Sequence, residues 1–264
     1  MPELPEVETF RKYLDGTALD QKIVDVTLKP KSEKLARPSW AELKKKLLHQ
    51  KLESSARIGK YLFIRLSDDG YLVVHFAMTG YFSYYKDAED EPKYAKIILH
   101  FDNGFHLSYN SKRKFGWLDL AESIETFQKE KDLGQDALEI GFEDFYQGLK
   151  NKKSPLKPRL MDQNLVAGIG NWVADEMLYQ AEIHPSSNCN KLSEEDFRHL
   201  YNTMQKILKT SVELDADYDR FPEHFLVNRR EKGGTCYYTG EPLEVLEVGG
   251  RTSYVSKSRQ KMFQ

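Results

Sequence analysis

Cysteine is almost missing from this chain. Two thiols in 264 residues, Cys189 and Cys236, allow one bridge at most and exclude both a disulfide framework and a metal site built from four of the chain's own thiolates. No stretch approaches the roughly 18 consecutive apolar residues of a membrane span. The N-terminus, Met1-Pro2-Glu3-Leu4-Pro5-Glu6-Val7-Glu8, lacks the basic and then apolar regions of a secretory signal. Neither sign of charge prevails, since 39 Lys/Arg against 41 Asp/Glu leave −2, which argues against a protein that coats nucleic acid indiscriminately. Repeats and low-complexity tracts are absent as well. The length suits two domains of roughly 100–150 residues, and the whole predicts an intracellular enzyme or binding protein with no membrane association.

Charge is nevertheless clustered. Residues 229–264 carry seven Lys/Arg against four Glu, and two further clusters are Lys112-Arg113-Lys114 and Lys150, Lys152, Lys153, Lys157, Arg159. Beside turn signals, such clusters form an electrostatic footprint for phosphate. The first half alternates in the manner of strands: 23–28, 61–66, an Asp68-Asp69-Gly70 turn, 71–76, then 96–101 and 105–109 about an Asp102-Asn103-Gly104 turn. Short, regularly spaced strands predict an antiparallel sandwich, flanked by helices over 5–14 and 41–49. The second half takes helical spacing over 137–149, 154–161, 171–181 and 193–214, and ends in a β-hairpin, 242–248 and 251–256, joined by Gly249-Gly250. The fold class is therefore α+β, with a boundary near 130–136.

The opening residues carry chemistry. A small second residue permits removal of Met1, which leaves Pro2 as a free secondary amine. An α-amino group titrates near pH 7.7–8.0 in model peptides, so a neutral nucleophilic fraction exists at physiological pH. Attack of a secondary amine on a sugar C1′ gives an iminium with no N–H proton to lose, an electron sink for eliminating the neighbouring phosphate. Glu3 and Glu6 are close enough in sequence to move protons.

Met1-Pro2-Glu3-Leu4-Pro5-Glu6-Val7-Glu8-Thr9 resembles the N-terminal signature of the formamidopyrimidine-DNA glycosylase/endonuclease VIII family of bifunctional base-excision repair enzymes. The resemblance runs along nearly the whole chain: Ile58-Gly59-Lys60-Tyr61, His75-Phe76-Ala77-Met78-Thr79-Gly80, Lys112-Arg113-Lys114-Phe115-Gly116, Leu160-Met161-Asp162-Gln163, and Gly168-Ile169-Gly170-Asn171 through Glu176, the helix–two-turn–helix segment. It implies that Pro2 is the nucleophile on C1′, with Glu3 a general acid for opening the sugar ring. Lys60 would meet a phosphate beside the lesion. Met78, Arg113 and Phe115 would fill the space of an everted nucleotide, offsetting the few kcal/mol of lost stacking. Asn171 would bind backbone phosphate at a helix N-terminus, and Lys157 and His75 would lie near phosphate or the site. The implied partner is double-stranded DNA carrying an oxidised base or abasic site, cut by β- or β,δ-elimination. A monomer is expected, cytoplasmic and nucleoid-associated in a bacterium or nuclear in a eukaryote. The alternative is a non-catalytic protein on the same scaffold that binds damaged or distorted DNA.

Two departures stand out. Relatives commonly end in a four-cysteine zinc finger, but Gly234-Thr235-Cys236-Tyr237-Tyr238-Thr239-Gly240 keeps one cysteine, and Ser256 and Arg259 fall where the last two would be. One thiolate with Thr, Ser and Arg cannot form a tetrahedral zinc site. The hairpin resembles a zincless finger, with no metal or cofactor expected and Arg251 still the phosphate contact. Second, only about Asp215 to Arg220 separates the last helix from Phe221-Pro222, too short to cover a flipped base, which favours oxidised pyrimidines, ring-opened lesions or abasic sites. The expected division is 1–132 as a catalytic β-sandwich, 133–222 as a helix–two-turn–helix domain and 223–264 as the finger.

Overall fold

The computed structural model describes residues 1–264, which divide into two compact units, Met1–Pro2 with Glu6–Asp132, and Glu3–Pro5 with Leu133–Gln264. The first unit holds most of α1 (Leu4–Asp15), then β1 (Ile23–Leu28), α2 (Trp40–Leu47), β2 (Leu52–Ile58), β3 (Tyr61–Leu66), β4 (Tyr71–His75), β5 (Gly80–Tyr85), β6 (Ala95–Phe101), β7 (His106–Ser111), β8 (Trp117–Ala121) and α3 (Ile124–Glu130). The strands form two antiparallel four-stranded sheets, ordered β1-β6-β7-β5 and β2-β3-β4-β8. Val26, Ile97, Leu99, Phe101, Leu107 and Tyr109 of the first sheet share one core with Leu62, Ile64, Leu66, Leu72 and Val74 of the second. Each fully buried aliphatic side chain contributes roughly 1.5–3 kcal/mol, and this core fixes the register on which the loops depend. In this unit three strands lie outside the sequence expectation. β2 is polar, with a register shift between Leu52 and Ser54 that breaks its alternation, while β5 opens on a glycine and β8 is the short edge partner of β4.

The second unit contains β9 (Gln135–Asp136), α4 (Phe142–Leu149), α5 (Leu156–Leu160), β10 (Val166–Ala167), α6 (Asn171–Gln180), α7 (Glu194–Glu213), β11 (Glu244–Val248) and β12 (Arg251–Val255). The helix expected over 137–149 starts only at Phe142. Before it, Ala137 N–H pairs with Ala167 and the Asp136 carboxylate accepts Leu138 N–H, so Asp136 organises a turn rather than a helix. α7 opens on a capping box, Ser193 with Asp196. α6 is apolar on nearly every face and lies at the centre, among Leu160, Phe197, Leu200, Met204 and Ile207. The terminal hairpin β11–β12 belongs to this same compact unit. No helix is long and apolar enough to cross a membrane.

Candidate functional site

Glu3 is a buried, firmly held polar group of the second unit. Its carboxylate is 2% exposed, with Oε1 accepting Trp172 N–H at 3.0 Å and Oε2 accepting Val173 N–H at 3.1 Å. These are orphan donors at the positive end of α6, so an anion is favoured there twice over. Leu4 N–H donates to the Gly168 carbonyl at 3.1 Å, and Gln163 pins the same turn by accepting Gly168 N–H and donating to the Ile169 carbonyl. Gly170 leaves the room that Glu3 occupies: an added Cβ would lie 2.2 Å from the Glu3 carboxyl carbon. The expectation for Asn171 needs correcting in one respect. Two of the helix N–H groups supposed to await phosphate, those of Trp172 and Val173, already hold Glu3, while the half-buried Asn171 side chain has an Oδ1 with no partner. Pro2, half-buried, directly precedes Glu3, and Glu6 lies half-buried in the first turn of α1, where an acid suits the helix dipole.

In the first unit, Lys60 stands in the two-residue turn between β2 and β3, after Gly59 at φ 57°. The turn is fixed by Arg57, which donates to the Gly59 carbonyl at 3.1 Å and pairs with Glu8 of α1 at 2.9 Å. Burial works against the Glu8 charge, yet hydrogen bonds and charges from Arg11 and Arg57 outweigh it and hold the carboxyl below its ordinary range. His75 stacks on Trp117 with centroids 5.4 Å apart, and Arg37 covers the Trp117 ring at 3.7 Å. Burial first, then the Lys60 and Arg37 charges, lower the His75 pKa to about 4. The imidazole is thus a neutral donor at physiological pH. Because the folded value lies below the ordinary 6.5, neutral His75 stabilises the fold fully above pH 6.5, and that contribution is lost as pH falls towards 4. His75→Phe should therefore lose stability less steeply than wild type between those limits in urea titrations; equal slopes would refute the assignment.

Met78 and Phe115 are 40% and 58% exposed, unusual for large apolar side chains. Each rides on a strained loop, beside Ala77 at φ 49° and Lys114 at φ 54°. Thr79 Oγ1 accepts Arg113 N–H at 3.1 Å, which ties the two loops together, and the Arg113 guanidinium lies 5.0 Å from the Phe115 ring centroid. Behind them, Gly80 leaves room for the Phe76 carbonyl and Gly116 for the Tyr109 hydroxyl. The structure thus brings Met78, Arg113 and Phe115 into one exposed group.

Lys157 is a correction. Expected to lie near phosphate, it is 0% exposed, its ammonium 2.7 Å from Asp175 Oδ1 and donating to Ser253 Oγ and the Thr252 carbonyl. The other Asp175 oxygen takes Arg230 at 2.7 Å. This buried triad holds β12, and with it the exposed Arg251 that follows the Gly249-Gly250 turn. Gly249 also faces Pro158, whose Cγ lies 2.4 Å from the position of an added Cβ. Sequence reasoning missed Asp175, Glu176 and Arg230, although two adjacent acids inside an apolar helix were a signal. Glu176 accepts Leu226 and Val227 N–H at 3.0 and 2.9 Å, with its pKa raised to about 7 by burial. It thereby pins the segment after α7, which forms short 3₁₀ turns at Tyr218–Arg220 and Leu226–Arg229 rather than an open loop.

At the finger, the residues do not fit zinc. Cys236 Sγ lies 3.2 Å from Tyr179 Oη, Ser256 gives its hydroxyl to Glu241 at 2.7 Å, and Arg259 stacks over Tyr238 at 3.8 Å. Burial opposes a Cys236 thiolate, but the hydroxyls around it prevail and lower its pKa from the ordinary range. Glu241 also accepts from Ser258 N–H and Oγ, so a carboxylate and hydroxyls close the knuckle.

Residues 1–118 match the family model for the formamidopyrimidine-DNA glycosylase N-terminal domain, and residues 133–222 that for the formamidopyrimidine-DNA glycosylase H2TH domain. The chain is 33% identical over 279 residues to a formamidopyrimidine-DNA glycosylase of Arabidopsis thaliana, spanning 100% of this chain and 72% of that one. It is 31% identical over 275 residues to the Streptococcus pneumoniae enzyme of that name, covering 99% of each. Its structure is similar to Lactococcus lactis Fpg in complex with DNA containing an abasic site, with a TM-score of 0.89, 27% identity, and 98% and 99% of the two chains covered. MutM in complex with DNA containing carbocyclic 8-oxo-G is similar to the same degree, with a TM-score of 0.89, 28% identity, and 98% and 100% covered.

Proposed function

Because the chain belongs to the formamidopyrimidine-DNA glycosylase family, we propose that it is a bifunctional DNA glycosylase/AP lyase that removes oxidised bases from double-stranded DNA. The observation that carries the reading is the fixed Glu3 carboxylate, held by two α6 N–H groups one residue after a proline whose nitrogen becomes a secondary amine when Met1 is removed. The Pro2 lone pair attacks C1′ and the damaged base departs with a proton. Glu3, an anion at rest, takes the proton that the Pro2 nitrogen sheds on forming the C1′–N bond and passes it to O4′; the C1′–O4′ bond then opens and the C1′–N bond becomes an iminium. Loss of a C2′ proton then expels the 3′ phosphate; a second elimination, on the 5′ side, gives the β,δ product. Lys60, neutral His75, Asn171 and Arg251 are the proposed phosphate contacts. Met78, Arg113 and Phe115 are the proposed wedge that occupies the vacated stack.

Borohydride trapping on a duplex with one abasic site tests the reading. Protein whose mass shows Met1 removed should give a covalent adduct. Pro2→Leu, whose bulky second residue keeps Met1 in place, should give none, because the nitrogen is then an amide. Failure of Met1-free protein to form any adduct would leave only recognition of damaged DNA. A second measurement concerns Arg251: Arg251→Ala should weaken binding across DNA sequences and lower the slope of log K against log salt by about 1. An unchanged slope would remove Arg251 from the phosphate contacts.

A further inference from the structure

The face of the β1-β6-β7-β5 sheet turned away from the core carries side chains that glycosylase chemistry does not use. Backbone register sets Asp25 of β1 opposite His100 of β6, His100 opposite His106 of β7, and His106 opposite Tyr85 of β5. Leu99, Phe101 and Leu107 point into the core, so alternation sends His100 and His106 outward together. There the two rings meet, Nδ1 to Nδ1, at 3.0 Å. On the other side of His100, Nε2 lies 2.8 Å from Thr27 Oγ1. We propose that this pair is a binding site for a divalent transition-metal cation such as zinc or nickel, held by the Nδ1 atoms of His100 and His106 with water in the remaining positions.

Three features support it. Two imidazole nitrogens on one tetrahedral zinc ion, each 2.0–2.1 Å from the metal, stand about 3.3 Å apart, so the rings need part only by a few tenths of an ångström. Thr27 occupies the outer position typical of a metal-binding histidine, where a hydrogen bond to the second ring nitrogen fixes the ring and leaves the first to the metal. The strands are joined by a four-residue connection, Asp102 to Phe105, within a packed sheet, so the pair is organised before any ion arrives.

The proton count is simple. The Nδ1···Nδ1 contact requires one ring to offer a lone pair and the other an N–H. With His100 Nε2–H donating to Thr27, His100 supplies the lone pair and His106 the hydrogen. A cation takes the place of that hydrogen and His106 moves its proton to Nε2, so neither ring ionises. The charged groups acting on His100 are Asp25, Glu91 and Lys29. Lys29 is committed to Glu91 at 2.6 Å and Asp25 to Lys44 at 2.8 Å. No third His, Cys, Asp or Glu completes the set, so the site is a two-imidazole one of modest affinity.

Calorimetric titration of the chelator-treated full chain with zinc sulfate, and separately with nickel sulfate, at pH 7.5 decides the matter. One saturable site is expected, weakened at least about tenfold by His100→Gln or His106→Gln and less by Thr27→Val. Cys236→Ser and His184→Gln should bind as wild type does, which separates this site from the finger thiol and from an unrelated histidine. Should a histidine variant fold poorly, nitrogen spectra of the wild-type rings give an independent reading: zinc should move the His100 and His106 ring resonances selectively. Absence of saturable binding, survival of binding in both histidine variants, or its loss in Cys236→Ser would overturn the proposal.

Discussion

Gly170→Ala is expected to slow base excision and strand cleavage by roughly 100-fold or more while leaving affinity for an abasic duplex little changed. The backbone at Gly170 is extended, at φ −123° and ψ −154°, so alanine incurs no conformational strain there. What it meets is Glu3: the new methyl would stand 2.2 Å from the carboxyl carbon and 2.4 and 2.6 Å from its two oxygens. The carboxylate must leave its two N–H donors, and a displacement of about 1 Å is enough to cost two orders of magnitude in rate. Single-turnover kinetics on a duplex with one oxidised base, alongside gel-shift binding, make the comparison. If Glu3 is the group displaced, Gly170→Ala combined with Glu3→Gln should be hardly slower than Glu3→Gln alone, since the two changes disable one function. Wild-type rates in Gly170→Ala would separate the placement of Glu3 from catalysis.

Asp175→Asn should have the largest effect on stability, a loss of about 3–5 kcal/mol in urea unfolding. The substitution keeps the shape but removes the charge that compensates Lys157, at 2.7 Å, and Arg230, also at 2.7 Å, in a site with 1% exposure of the Asp175 side chain. An unpaired buried ammonium is costly, whereas removing both charges is not. Lys157→Met with Asp175→Leu removes the buried ammonium and leaves only Arg230, 15% exposed and within reach of solvent, so part of the loss should be recovered. The double variant should also retain a weakness in DNA binding, because Lys157 donates to the Thr252 carbonyl beside Arg251. A loss under 1 kcal/mol for Asp175→Asn would show that the triad does not hold the hairpin.

The sequence made the strands about Asp68-Asp69-Gly70 and Asp102-Asn103-Gly104 legible, because alternation and turn residues are local signals. The same holds for the capped start of α7 and the Gly249-Gly250 hairpin. Ordered motifs brought Pro2, Glu3, Lys60, Met78, Arg113, Phe115 and Arg251 to attention. Depth was not legible. Lys157 reads as one of a row of surface lysines, and only the tertiary fold reveals a buried aspartate one helix away that neutralises it. Likewise, the anion expected at the start of α6 was phosphate, while the occupant is a carboxylate 169 residues earlier in the chain. Pairings across such separations leave no trace in periodicity, which registers neighbours three, four or two residues apart.

His75 has a consequence for how this protein would hold on to DNA in concentrated electrolyte. Cationic contacts draw their strength from ions set free along the duplex, so they fade as salt is added. An imidazole whose pKa of about 4 keeps it uncharged frees none. The contact proposed for it should therefore weaken less with added salt than those proposed for Lys60 and Arg251.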